Sequence, residues 1–98
     1  MKQEIFNKYV EAVSEQFGFN EEELFEVTKK REQVDARQIL YCLCAERNMS
    51  VGYIQRYLSV KGYDVSHSTI IHGTKRALSL ISQDIDLAKI VTDIKESV

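Results

Sequence analysis

The chain has 98 residues, enough for one domain around a single core and too few for two. Apolar residues make up 44% and charged residues 29%, a soluble globular composition, and no run approaches the roughly 20 consecutive apolar residues of a membrane-spanning helix. The formal net charge of −2 is low for a nucleic-acid binder, but it is unevenly spread. Residues 1–27 carry two lysines against seven glutamates, residues 28–76 nine lysines and arginines against four acids, and residues 77–98 two lysines against four acids. A basic middle between acidic ends is what a directed electrostatic footprint looks like. Residues 1–6 lack a charged-then-apolar signal pattern, so a cytoplasmic location is expected.

Helical periodicity dominates from the start. Ile5, Phe6, Tyr9, Val10, Val13 and Phe17 recur at spacings of one, three and four, and Gly18 follows as a C-terminal stop. Asn20 with Glu23 three residues on is a capping-box pattern for a short helix, and its first-turn glutamates suit the helix dipole. Leu24 and Val27 are expected to pack inward. A polar stretch over residues 28–33 then leads to a helix from about 34 to 47, with Ala36, Ile39, Leu40, Leu43 and Cys44 on its buried face.

Cys42 and Cys44 lie two apart in that helix, and at ~100° per residue they point to roughly opposite sides. They can form neither a mutual disulfide nor a metal pair, and read as buried free thiols suited to a reducing compartment. Ser50 is an N-cap for a helix reaching 58, with Val51, Ile54 and Leu58 at helical spacing. After a turn rich in Gly, Lys and Asp, Ser66 caps a helix to about 81 whose apolar stripe is Ile70, Ile71, Ala77, Leu78 and Ile81. Leu87, Ile90, Val91, Ile94 and Val98 mark an amphipathic last helix. The expected class is all-α, about six helices in one domain over 1–98, with a helix-turn-helix at about 50–81.

In a helix-turn-helix the second helix presents its N-terminal turn to DNA, where free N–H groups and the positive dipole end favour phosphate. The helical wheel puts Ser68, Thr69, His72, Lys75, Arg76 and Ser79 away from the apolar stripe. Small hydroxyl residues at the start allow close backbone approach, and cations further along suit phosphate contacts. Taken alone, this segment reads better as an ordinary amphipathic helix with a solvated face.

Four segments in order change that balance: Phe17-Gly18-Phe19-Asn20 through Leu24, Lys29-Lys30-Arg31-Glu32, Ala36-Arg37-Gln38, and Ser66-His67-Ser68-Thr69-Ile70-Ile71-His72. Together they resemble the C-terminal DNA-binding domain of the bacterial replication initiator DnaA, a Trp-repressor-like helix-turn-helix fold. The resemblance covers residues 5 to 94. It implies that Lys29 matches a basic loop residue entering the minor groove, with Lys30 and Arg31 beside it. It implies that Arg37 and Gln38 match residues contacting the phosphate backbone. His67, Ser68 and Thr69 match residues that meet bases and phosphates in the major groove.

The chain departs from the family in several places. Lys29 stands where the family usually has Arg, which fits a narrow groove better. Ser66 replaces an Asp, keeping the cap but removing an acceptor for cytosine. Val65 replaces an Arg, Val51-Gly52 replaces a Leu-Pro, and the turn over residues 59–65, which carries Lys61, is longer than the family's.

Plainer roles exist for the same residues. The basic loop reads as a solvated surface, Arg37 pairs with Glu32 or Asp35, His67 packs against the apolar side, and Thr69 serves the cap. Tyr41, Tyr53, Tyr57 and Tyr63 read as core or rim. His67 and His72 are five apart and off one another's face, so a zinc site is not expected. No G-x-x-x-x-G-K-[ST] loop is present, so the ATPase module of the initiator, and with it a bound nucleotide, is not expected, nor is any cofactor or catalytic triad.

The leading expectation is a stand-alone DnaA-like domain, complete or cut from a longer protein, that binds duplex DNA and is not an enzyme. The alternative is a protein-interaction module that keeps the fold and binds a replication protein through its acidic helices.

Overall fold

The computed structural model describes all residues from Met1 to Val98. Its first helix, α1 (Lys2–Phe17), buries Phe6, Tyr9, Val10 and Val13, and ends where Gly18 adopts a left-handed φ of 75° that lets the chain turn back. The short α2 (Glu21–Leu24) has the capping box in full: the Glu23 N–H donates to Asn20 Oδ1 at 2.7 Å, and the Asn20 N–H donates to Glu23 Oε1 at 3.0 Å. Leu24 is fully buried, whereas Val27, expected inward, is 90% exposed. α2 ends after one turn, so no helical face carries Val27 to the core.

The third helix, α3 (Arg31–Glu46), begins three residues earlier than the apolar pattern indicates. Its first turn is polar and still packed, because Gln33 is buried and its Nε2 donates to the Glu23 carbonyl at 2.7 Å. Ala36, Ile39, Leu40, Leu43 and Cys44 are buried as expected, and so are Arg37, Tyr41 and Cys42. A helix buried all round is a central one, and α3 packs most extensively against α5 and α1. Cys42 and Cys44 are both free, and burial pushes their thiols up to about 11 and about 12.

Ser50 Oγ accepts the Tyr53 N–H at 3.2 Å and opens α4 (Val51–Val60), which buries Ile54 and Leu58. This helix runs past residue 58, so the connection to α5 (His67–Gln83) is residues 61–66. Ser66 caps α5 by accepting the Thr69 N–H at 3.1 Å. The α5 stripe differs from expectation: Ile70, Gly73 and Ala77 are buried, while Ile71 and Leu78 are 42% and 50% exposed. Gly73 sets that face. A Cβ built there would lie 2.8 Å from Tyr41 Cδ2 and 3.0 Å from Gln38 Cγ, so its missing side chain lets α5 approach α3.

Gly73→Ala should therefore lose about 1–3 kcal/mol to overpacking, although alanine favours a helix interior by roughly 0.5–1 kcal/mol. Chemical denaturation measures the difference. A variant as stable as the parent would contradict so tight a crossing.

The last helix, α6 (Ile85–Ser97), is capped by Asp84 Oδ1, which accepts the Asp86 and Leu87 N–H groups, and it buries Val91 and Ile94. Lys95 ties it to Glu46 of α3 through an ion pair. The buried apolar residues form one contiguous cluster to which every helix contributes. No helix is long and apolar enough to cross a membrane.

Candidate nucleic-acid interface

The helix-turn-helix is α4, residues 61–66 and α5. Beside its turn lies the loop of residues 25–30, and Arg37 joins the two. From inside α3 its Nη1 donates to the Leu24 and Glu26 carbonyls at 2.9 and 3.0 Å, and its Nη2 donates to the Thr28 carbonyl at 2.9 Å. The same guanidinium lies 4.9 Å from the centre of the Tyr63 ring, which also packs against Phe25. One side chain thus fastens the approach to the basic loop and the approach to α5. The planar fork of donors suits this task, because carbonyls at several angles are satisfied by one rigid group.

That arrangement bears on two expectations for Arg37. It is 4% exposed, and three of its five N–H hydrogens are given to carbonyls, so the guanidinium serves the fold first. It also pairs with neither Glu32 nor Asp35. The Asp35 carboxylate instead accepts from Arg76 Nη1 at 2.6 Å, and Gln38 Oε1 accepts from the same nitrogen at 2.6 Å. Gln38 and Arg76 are therefore partners across the α3–α5 seam, with the Arg76 side chain 38% exposed, and not free surface groups. Lys61 has a partner within the chain as well. Its Nζ pairs with Glu21 at 3.2 Å, beside the acidic residues of α1 and α2.

The remaining candidates are on the surface. Lys29, Lys30, Arg31, His72 and Lys75 are exposed, and none of these five takes part in an ion pair. The Lys30 N–H donates to Thr28 Oγ1 at 3.2 Å, which shapes the loop just before α3. Ser66, His67, Ser68 and Thr69 are exposed at the start of α5. Thr69 does belong to the cap, its Oγ1 lying 3.0 Å from Ser66 Oγ. The His67 and Ser68 N–H groups precede the first intrahelical donors and are the groups a helix start offers to an anion.

His67 is not packed against the apolar side: its Nε2 meets Gln55 Oε1 at 2.9 Å, and Gln55 Nε2 donates to the Val65 carbonyl at 2.8 Å. Tyr41 is core, with its phenol pushed above its usual value by burial, and Tyr53 is rim. Tyr63 is rim as expected, half-buried against the core. Nothing in the sequence marks Gln55, because a polar residue on an outer helix face carries no periodic signal and its partners are the Val65 carbonyl and His67.

No three His, Cys, Asp or Glu side chains meet as a metal site. A family model, the bacterial dnaA protein helix-turn-helix, matches residues 7–77. The chain belongs to that family. The match takes in most of α1, all of α2 to α4, the turn and most of α5, including Ser66 to Thr69 and the basic loop. With DnaA-family membership come the all-α fold described above and DNA binding, not catalysis, as the general activity. No curated protein matches the chain at a significant level.

Proposed function

We propose that this DnaA-family domain reads duplex DNA at initiator-box-like sites, with the start of α5 in the major groove and Lys29, Lys30 and Arg31 on the adjacent backbone and minor groove. Replication initiation or its regulation is the matching process. The observation that supports this reading most is the Arg37 bridge, since it holds an unpaired basic loop beside the turn that leads into Ser66, His67, Ser68 and Thr69. His72 and Lys75 continue the exposed face of α5, where cations suit phosphates further along the groove. Binding needs no cofactor and no nucleotide.

The test is fluorescence anisotropy of a labelled duplex carrying an initiator box, titrated at several salt concentrations beside a scrambled duplex. Tighter binding to the box, weakened in His67→Ala, is the expected result, with log affinity falling against log salt by ~0.9 per phosphate contact. Equal, salt-sensitive binding to both duplexes would remove the sequence-reading step and trace its loss to Ser66, which lacks the carboxylate acceptor for cytosine.

A second reading rests on a different face. Glu11, Glu15 and Glu21 line a groove between α1 and α2 in which Lys61 is the single cation, already paired with Glu21. A basic segment of a replication protein suits that groove. Absence of binding to either duplex at low salt would favour this reading over the first.

A further inference from the structure

Gln55 is the one side chain of α4 that hydrogen-bonds to the start of α5, and its two bonds fix its own orientation. A backbone carbonyl can only accept, so the atom 2.8 Å from the Val65 oxygen is the amide nitrogen of Gln55. The amide oxygen then faces His67 at 2.9 Å and can itself only accept. His67 Nε2 must carry the proton for that contact to be a hydrogen bond. In a neutral imidazole the other nitrogen is then a bare acceptor. His67 is exposed at the first turn of α5, and its Nδ1 has no partner within the chain.

We infer that Gln55 is a specificity-determining positioning residue: by holding His67 in its Nε2-protonated form, it presents Nδ1 as an acceptor that selects adenine or cytosine at the base it meets. This inference rests on the DNA-reading function proposed above and deepens it. In the major groove adenine N6 and cytosine N4 are donors, whereas the guanine edge shows only acceptors and thymine an acceptor and a methyl group. A lone pair on Nδ1 is attracted by the first two and repelled by the acceptors of the others. The same amide braces the turn through the Val65 carbonyl, so the ring and the helix start it belongs to are held by one group.

The closing experiment has two readouts. The first is the imidazole nitrogens of His67 by long-range proton–nitrogen NMR in the free protein at pH 8, with exposed His72, which has no hydrogen-bond partner, as internal reference. In the parent chain His67 should show a single tautomer distinct from the His72 mixture, and in Gln55→Met its signals should converge on those of His72. The second is anisotropy against initiator-box duplexes in which each base pair is varied in turn. The parent should discriminate by about tenfold at one position in favour of adenine or cytosine, and Gln55→Met should reduce that ratio to about twofold while discrimination elsewhere is kept.

Gln55→Glu separates the tautomer role from bracing. Its carboxylate still accepts from His67 Nε2 but cannot donate to Val65, so the ratio should survive even if overall affinity falls. His67 nitrogens indistinguishable from those of His72 in the parent would overturn the inference. So would loss of the ratio in Gln55→Glu together with a retained tautomer, since bracing alone would then be responsible. Failure of the parent to bind any duplex would overturn the DNA reading and the base selection with it, a result separable from the NMR, which decides the tautomer on its own.

Discussion

Arg37→Ala should leave the protein about 3 kcal/mol less stable, because it strips a charged donor from three carbonyls, one of them fully buried. For a domain of this size that corresponds to a fall of roughly 12–24 °C in melting temperature, read by circular dichroism. Arg37→Lys should recover only part of the loss, since a single ammonium cannot reach carbonyls of residues 24, 26 and 28 in the directions the guanidinium fork reaches. Weaker DNA binding should accompany both variants as a consequence of the loosened loop. An alanine variant that melts within about 3 °C of the parent yet loses DNA binding would return Arg37 to the phosphate-contacting role expected from the family.

Replacing Lys29, Lys30 and Arg31 together by alanine should do the reverse, sparing the fold and weakening binding. These cations are exposed and free of ion pairs, and they crowd the N-terminal end of α3, where the helix dipole disfavours positive charge by about 0.3–1 kcal/mol per residue. The melting temperature should hold or rise slightly. If each meets one phosphate, the slope of log affinity against log salt should become shallower by up to ~2.7, and affinity should fall on every duplex. An unchanged slope would mean that the loop stays clear of the backbone. Three like charges set against a dipole are a cost to stability, and a ligand of opposite sign is what would offset it.

The helices were largely legible because apolar spacing and capping chemistry are local. Asn20 with Glu23, Ser50 and Ser66 mark helix starts by side chains that act within three residues, and Gly18 marks a helix end by its left-handed backbone. What escaped was decided by tertiary contact. The first turn of α3 is polar, and it is helical here with Gln33 held by a carbonyl ten residues back. Ile71 and Leu78 fit an apolar stripe by spacing alone, but the close approach permitted at Gly73 rotates α5 and leaves them exposed.

The site followed the same division. Motif order singles out the basic loop and the α5 start, whose residues are exposed. The intramolecular partners of Arg37, Gln38, Lys61 and Arg76 are not legible, because a cation or amide on a sequence gives no sign of which carbonyl or carboxylate will claim it.

The connection between α4 and α5 is longer than a minimal turn, yet little of it is at liberty. Lys61 is fastened to Glu21, Tyr63 lies between Phe25 and Arg37, and Val65 is held by Gln55. The freedom that extra residues would ordinarily bring has thus already been surrendered on folding. Docking on this end of the molecule is then a meeting of preformed shapes, with little ordering entropy left to lose at the moment of contact. Its rate is set by diffusion and charge, without waiting for a segment to find its conformation.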